Sequence, residues 1–201
     1  MINIFFASTS LWYERLDLIE FSIKKMRHAF DDERVDTLDR FIKFLNDSFE
    51  RLCFAYRIIG GEVVEITKEE EIVEIEETLK DKDGAAVHIN WALENLSKRP
   101  IADYRNSIKE SISAVEFVCR EMTGDGTLGE ALKTIRKKGI EIPQMLTVAF
   151  EKLYVYTNDK TTGIRHALMD DVNEPGFEEA KFMLVACCAF VNYIKAKNKP
   201  L

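Results

Sequence analysis

The chain has 201 residues, 46% of them hydrophobic, and a formal net charge of −7, enough for one large domain or a domain with a small appendage. The acidic balance argues against broad, nonspecific nucleic-acid binding and leaves room for a local basic site. No apolar run approaches the length of about 20 residues that spans a bilayer. The start, MINIFFASTSLWYERLD, lacks the basic segment of a secretory leader, so a cytoplasmic location is expected. Cys53, Cys119, Cys187 and Cys188 show no CxxC spacing and are expected to be reduced, buried thiols. Glycine and proline are few, which favours long helices over sheet.

Ser8, Thr9 and Ser10 offer helix N-caps. From Leu11 to Phe30 the residues Trp12, Leu16, Ile19, Ile23 and Met26 recur at helical spacing, predicting an inward face. Lys24, Lys25, Arg27 and His28 gather near the end of this helix, where cations meet the dipole and solvent. Asp36 is placed to cap a second helix with Leu38, Phe41, Ile42, Leu45 and Phe49 on one face. Two short β-prone runs, Phe54 to Ile59 and Glu62 to Ile66, flank Gly60-Gly61. That pattern predicts a hairpin, because a type I′ turn needs positive φ at both central residues. Thr67 and Glu70 form a capping box ahead of an acidic helix, Lys68 to Asp81, with Ile72, Ile75 and Leu79 inward. Its glutamates read as a solvated face. A further helix, Ala85 to Lys98, is expected to point Val87, Trp91 and Leu96 inward, with His88 hydrogen-bonded or at the surface. Pro100 ends this N-terminal part.

Beyond Pro100, Asp103 is placed to cap a long helix with the stripe Ile108, Ile112, Val115, Cys119 and Met122. Arg105, Lys109, Ser113, Glu116 and Arg120 lie along another face. Two readings stand for it: a row of solvated ion pairs, or Arg105 and Lys109 facing a second site further along. Thr127 and Glu130 make another capping box before a short helix closed by Lys137-Lys138-Gly139. Pro143 opens the helix carrying Leu146, Phe150, Leu153, Tyr154 and Tyr156. This helix breaks at Asn158-Asp159, and the chain resumes at Gly163-Ile164-Arg165-His166. An always-charged guanidinium beside a group that titrates near neutral pH suits phosphate handling. After an acidic loop, Asp170 to Glu174, the last helix runs from Phe177 to Lys197. It is apolar nearly all round over Phe182 to Val191 and is expected at the centre of a bundle, with Asn192 and Tyr193 needing polar partners.

The expected fold class is therefore mainly α: a multi-helix bundle with one small hairpin near 54–66. Residues 1–100 form an N-terminal part of helices and hairpin, and 101–201 a helical bundle, together one compact unit. No metal-ligand spacing occurs, and no cofactor is expected.

The segments DYRNSIKESISAVEFVC, TLGEALKTI, AFEKLYVYTND, GIRHAL and AKFMLVACCAFVNYIKAK resemble one of the N-terminal domain types of AbiJ abortive-infection proteins, which are similar in turn to the HEPN superfamily of helical bundles. AYRIIGGEVVEIT before an acidic helix fits the same arrangement. The resemblance spans roughly 54–197, with the first fifty residues as a variable lead-in. It implies a role in phage defence or a toxin–antitoxin system, commonly as a homodimer, with metal-independent endoribonuclease chemistry. The alternative it implies is a non-catalytic sensor or interaction module with an RNA, protein or antitoxin partner. The HEPN signature sets an arginine a few residues ahead of a histidine, whereas Arg165 and His166 are adjacent here. Carried over, His166 is the candidate acid or base and Arg165 the phosphate clamp. Arg105, Lys109, Glu116, Tyr154, Tyr156 and Asn158 are the supporting or RNA-binding candidates. With one histidine per site, a two-fold dimer would bring a second. In the structural alternative, Arg165 pairs with a carboxylate such as Glu116.

Overall fold

The computed structural model describes residues 11–29, 32–159, 161–162, 164–165 and 174–198, without the side chains of 32–35 and 136. Among these it has eight helices and one hairpin. In order they are α1 (Trp12–Ala29), α2 (Asp32–Arg51), β1 (Arg57–Ile59), β2 (Glu62–Val64), α3 (Glu69–Lys80), α4 (Gly84–Ser97), α5 (Tyr104–Thr123), α6 (Leu128–Lys137), α7 (Gln144–Asn158) and α8 (Phe177–Asn198). The mainly α architecture with its single hairpin is as the sequence predicts. Two compact units divide the chain: Met1–Ile72 with Ser97–Ala102, and Val73–Leu96 with Asp103–Leu201. The second half of the acidic helix α3 and nearly all of α4 belong to the second unit.

In the first unit the hairpin is antiparallel, with Ile59 opposite Glu62 and Ile58 opposite Val63. Gly60 and Gly61 carry φ of 63° and 100°, the left-handed backbone that a tight hairpin turn demands. A lone two-stranded ribbon leaves backbone groups open along both edges, and here side chains close them. On the β1 edge, the Ile58 N–H donates to Asn46 Oδ1 at 2.8 Å and Asn46 Nδ2 donates to the Ile58 carbonyl at 2.9 Å. On the β2 edge, the Val63 N–H donates to Glu20 Oε1 at 2.7 Å and Arg99 Nη1 donates to the Val63 carbonyl at 3.0 Å. Arg99 also pairs with Glu20 at 2.6 Å and Asp17 at 2.8 Å. Leu16, Ile23, Ile58 and Val63 make the local core, with Ile19, Met26, Ile42, Leu45 and Phe49 against it.

The second unit is built on α8. Eight of its residues are buried, from Ala180 to Ile194, and they pack chiefly on the Ile108, Ile112, Val115 and Cys119 stripe of α5. Phe150 of α7 stacks on Phe190 with centroids 3.4 Å apart. Asn192 is satisfied as expected: its amide donates to the Glu74 carbonyl and carboxylate, both at 2.9 Å, and it accepts from the Thr78 hydroxyl at 2.9 Å. Lys195 bridges Asp81 and Asp83 at 2.7 and 2.6 Å. Burial alone would raise the Asp83 carboxyl, but Lys195 and the Ala86 and Ala85 N–H groups outweigh it and hold its pKa low.

Several local expectations are corrected. Trp12, Phe41, Val87, Trp91, Leu146 and Phe182 are exposed. The inward face of α4 is Ala85, Ala86, Ile89, Ala92 and Leu93, together with Leu96 as expected. Helix α2 begins at Asp32, so Asp36 lies inside it and caps nothing. Cys53 is exposed, at φ 52°, while the other three thiols are buried. Gly163, His166 and the loop from Asp170 to Asn173 lie outside the described residues.

Two outcomes follow from this packing. Arg99→Ala leaves Glu20, whose carboxyl burial already pushes up in spite of Arg99, without its cation. A loss of about 3 kcal/mol is expected in urea denaturation, and adding Glu20→Gln recovers part of it. Thiol alkylation separates the cysteines. Burial pushes Cys119 and Cys188 up to about 12 and Cys187 upward too. The native protein should therefore take up one equivalent, at Cys53, and the denatured protein one at each cysteine.

Candidate functional site

Helix α5 brings the candidate cations together. Asp103 starts it, accepting the Asn106 N–H at 3.1 Å, as the capping pattern predicts. With its apolar stripe turned to α8, residues 105, 109 and 113, four apart, fall on an adjacent face. The other wall comes from the chain after α7. That helix ends at Asn158, and Asp159 forms a side-chain turn with Thr161, whose N–H and hydroxyl donate to Asp159 Oδ1 at 2.8 and 2.7 Å. Ile164, 4% exposed, anchors the segment in the core and sets Arg165 at the surface.

Arg105, Asn106, Lys109, Ser113, Ile164 and Arg165 line one cavity of about 410 Å³. Three of these side chains are cationic, and Ser113 and Asn106 add neutral polar groups. Arg165 is also held from behind. Its Nη2 and Nη1 reach the two oxygens of Glu116 at 2.8 and 3.5 Å. Its guanidinium lies 5.3 Å from the Tyr154 ring centroid, a cation–π contact. The Arg165 Nε is buried with no hydrogen-bond partner among the described residues. The pair is partly exposed, with side chains at 21% and 18%.

Of the sequence candidates, Arg105, Lys109 and Arg165 thus share the cavity, and Glu116 and Tyr154 orient Arg165. Tyr156 and Asn158 do not line it. Burial raises the Tyr156 hydroxyl, with Glu179 adding to the shift, and the Asn158 amide donates to the Tyr154 carbonyl at 3.1 Å near the helix end. His166 follows Arg165 directly and lies outside the described residues.

Sequence reading missed two features here. Asn106 lines the cavity although it falls outside the charged stripe. His88 is hydrogen-bonded, one of the two expectations for it, but its partner was not foreseen: Nδ1 meets Glu110 Oε2 at 2.8 Å, across 22 residues of chain. The Asp103 N–H donates to the Asn95 carbonyl at 2.9 Å, so α4 and α5 run antiparallel with 95 beside 103 and 88 beside 110. No local signal announces such a pairing.

Among the described residues no three His, Cys, Asp or Glu side chains gather as a metal site, and no helix is long and apolar enough to cross a membrane. No curated protein and no solved structure matches the chain. The family match falls at the N-terminus, taking in the lead-in helices, the hairpin and α3, whereas the sequence motifs had suggested a span of roughly 54–197. Residues 1–81 match AbiJ N-terminal domain 4, which bears out the AbiJ resemblance.

Proposed function

We propose that this is an abortive-infection protein whose second unit binds RNA backbone phosphate in the Arg105–Lys109–Arg165 cavity. The AbiJ match supports the defence role. The convergence of three cations on one cavity, in a chain that is acidic overall, carries the binding role. Phosphate is a planar-fork acceptor for arginine, as carboxylate is. Glu116 occupies the Arg165 fork as a phosphate group would, so ligand and Glu116 compete for it.

That occupation favours recognition over cleavage, because a clamp for a charged phosphorane must present its donors to the reacting oxygens. Metal-independent cleavage is the second reading. It is favoured by the position of Arg165 on the cavity wall with His166 next in sequence. It requires a phosphate to draw Arg165 from Glu116, His166 to take or give the proton, and a second protomer to supply the other transfer.

Fluorescence anisotropy with a labelled single-stranded RNA tests the site. Arg105→Ala with Lys109→Ala should weaken binding about tenfold or more and flatten its dependence on salt. Glu116→Gln, which keeps the shape and removes the charge, should tighten it. Binding unchanged in the double variant would refute the cavity as the site. Cleavage of the same RNA by the wild type, abolished by His166→Ala with binding retained, would establish the nuclease reading.

A further inference from the structure

The chain of contacts at the cavity continues past Lys109. Lys109 Nζ lies 3.7 Å from Glu110 Oε1, and Glu110 Oε2 lies 2.8 Å from His88 Nδ1. The His88 ring meets Trp91 at 83°, with centroids 5.3 Å apart. These contacts lead from a cavity-lining lysine on α5 across to α4. They end at an indole that is 48% exposed. Its exposure does not reflect a loosely packed helix, since Ile89, Ala92 and Leu93 beside it are fully buried. A T-shaped contact takes up at most one face of the indole. Glu110 holds the imidazole, the imidazole holds the indole, and the indole stands in solvent three contacts away from a cavity-lining lysine.

We propose that Trp91 is a nucleobase-stacking platform. A single-stranded nucleic acid seats a phosphate against Arg105, Lys109 and Arg165 and stacks a neighbouring base on the indole. This inference rests on the reading of the cavity as a phosphate site. A cationic cavity and a flat π surface joined to it through Glu110 and His88 match the two parts of a strand, its charged backbone and its apolar rings. The strand must be unpaired, because a duplex keeps its bases stacked on each other and away from a protein ring. Lys109 serves the phosphate, and Glu110 and His88 are positioning residues for Trp91.

The chain has two tryptophans, so Trp12→Phe leaves Trp91 as the only indole emitter. In that background, a uridine oligomer, an abasic oligomer with the same number of phosphates, and duplex RNA are titrated in turn. The uridine oligomer should quench Trp91 emission and bind about tenfold more tightly than the abasic one, and duplex RNA should bind no better than the abasic oligomer. Trp91→Ala should bring the uridine oligomer down to the abasic level without changing abasic binding, and Trp91→Phe should retain most of the difference. Circular dichroism confirms that each variant is folded. Trp91→Ala binding the uridine oligomer as wild type does, without quenching in the parent, overturns the platform. If the Arg105→Ala, Lys109→Ala variant still loses both oligomers, the cavity stands without it. If that variant loses neither, the phosphate site falls and the platform with it.

Discussion

The second unit depends on burying α8. A helix apolar around most of its circumference has to bury most of it, so other helices pack along it, with Phe182 near its start left exposed. Helix α5 supplies the longest of those surfaces. Apolar contact alone would let α8 slide or rotate, because oily surfaces of similar size fit in several registers. Asn192 removes that freedom. Its half-buried amide must find Glu74 and Thr78 or lose those hydrogen bonds, at a cost of about 1 kcal/mol each. Lys195, bridging Asp81 and Asp83 near the end of the helix, fixes the same alignment from the rim. The register of α8 thus rests on a few polar contacts set in an apolar interface.

That constraint places the cavity. Once Ile108, Ile112, Val115 and Cys119 are committed to α8, the helical period leaves Arg105, Lys109 and Ser113 on a flank of α5 that the core does not cover. The Ile164 anchor does the same for Arg165. Magnitudes then decide what Glu116 can do. A partly exposed ion pair such as Arg165–Glu116 contributes about 0–1 kcal/mol, so it orients the guanidinium without locking it. In the proposed site a phosphate would replace that pair like for like at Arg165, and contacts to Arg105 and Lys109 are the ones the carboxylate does not offer. The Tyr154 ring, 5.3 Å from the guanidinium, supports its pose independently of Glu116.

Features set by neighbouring residues were legible in the sequence. The Gly60-Gly61 turn, the Asp103 and Thr127 caps and the end of α7 at Asn158-Asp159 each follow from a few adjacent residues whose chemistry admits one local conformation. The α5 stripe and the buried α8 were legible because their periodicity runs over many turns. Faces of short helices were not. On α4 Val87 and Trp91 point outward, while Ile89 and Leu93 point inward with Ala85, Ala86 and Ala92. Apolar residues occur on more than one face of this helix, so periodicity alone admits several inward stripes and tertiary packing selects one. The Glu20–Arg99 closure of the hairpin edge and the His88–Glu110 pair join residues far apart in sequence, and only the tertiary fold brings them within reach.

The AbiJ match and the cavity occupy different parts of the chain, and this decides how each is argued. Residues 1–81 take in the contiguous part of the first unit and the start of the second. Arg105, Lys109, Glu116, Arg165 and Trp91 all lie beyond them. What the family lends is a biological setting for the N-terminal part, and that setting says nothing of which side chains meet a ligand. The cavity stands on its own chemistry: three cations on one opening, a carboxylate already seated in the fork of one of them, and an exposed indole tied to another through Glu110 and His88. A core can bury its apolar surface without any of these features. Glu116 beside Arg165 and Glu110 beside Lys109 offset part of the repulsion among these like charges. Each carboxylate faces one cation, whereas an anion seated in the cavity would face Arg105, Lys109 and Arg165 at once, and that difference is what the proposed phosphate site rests on.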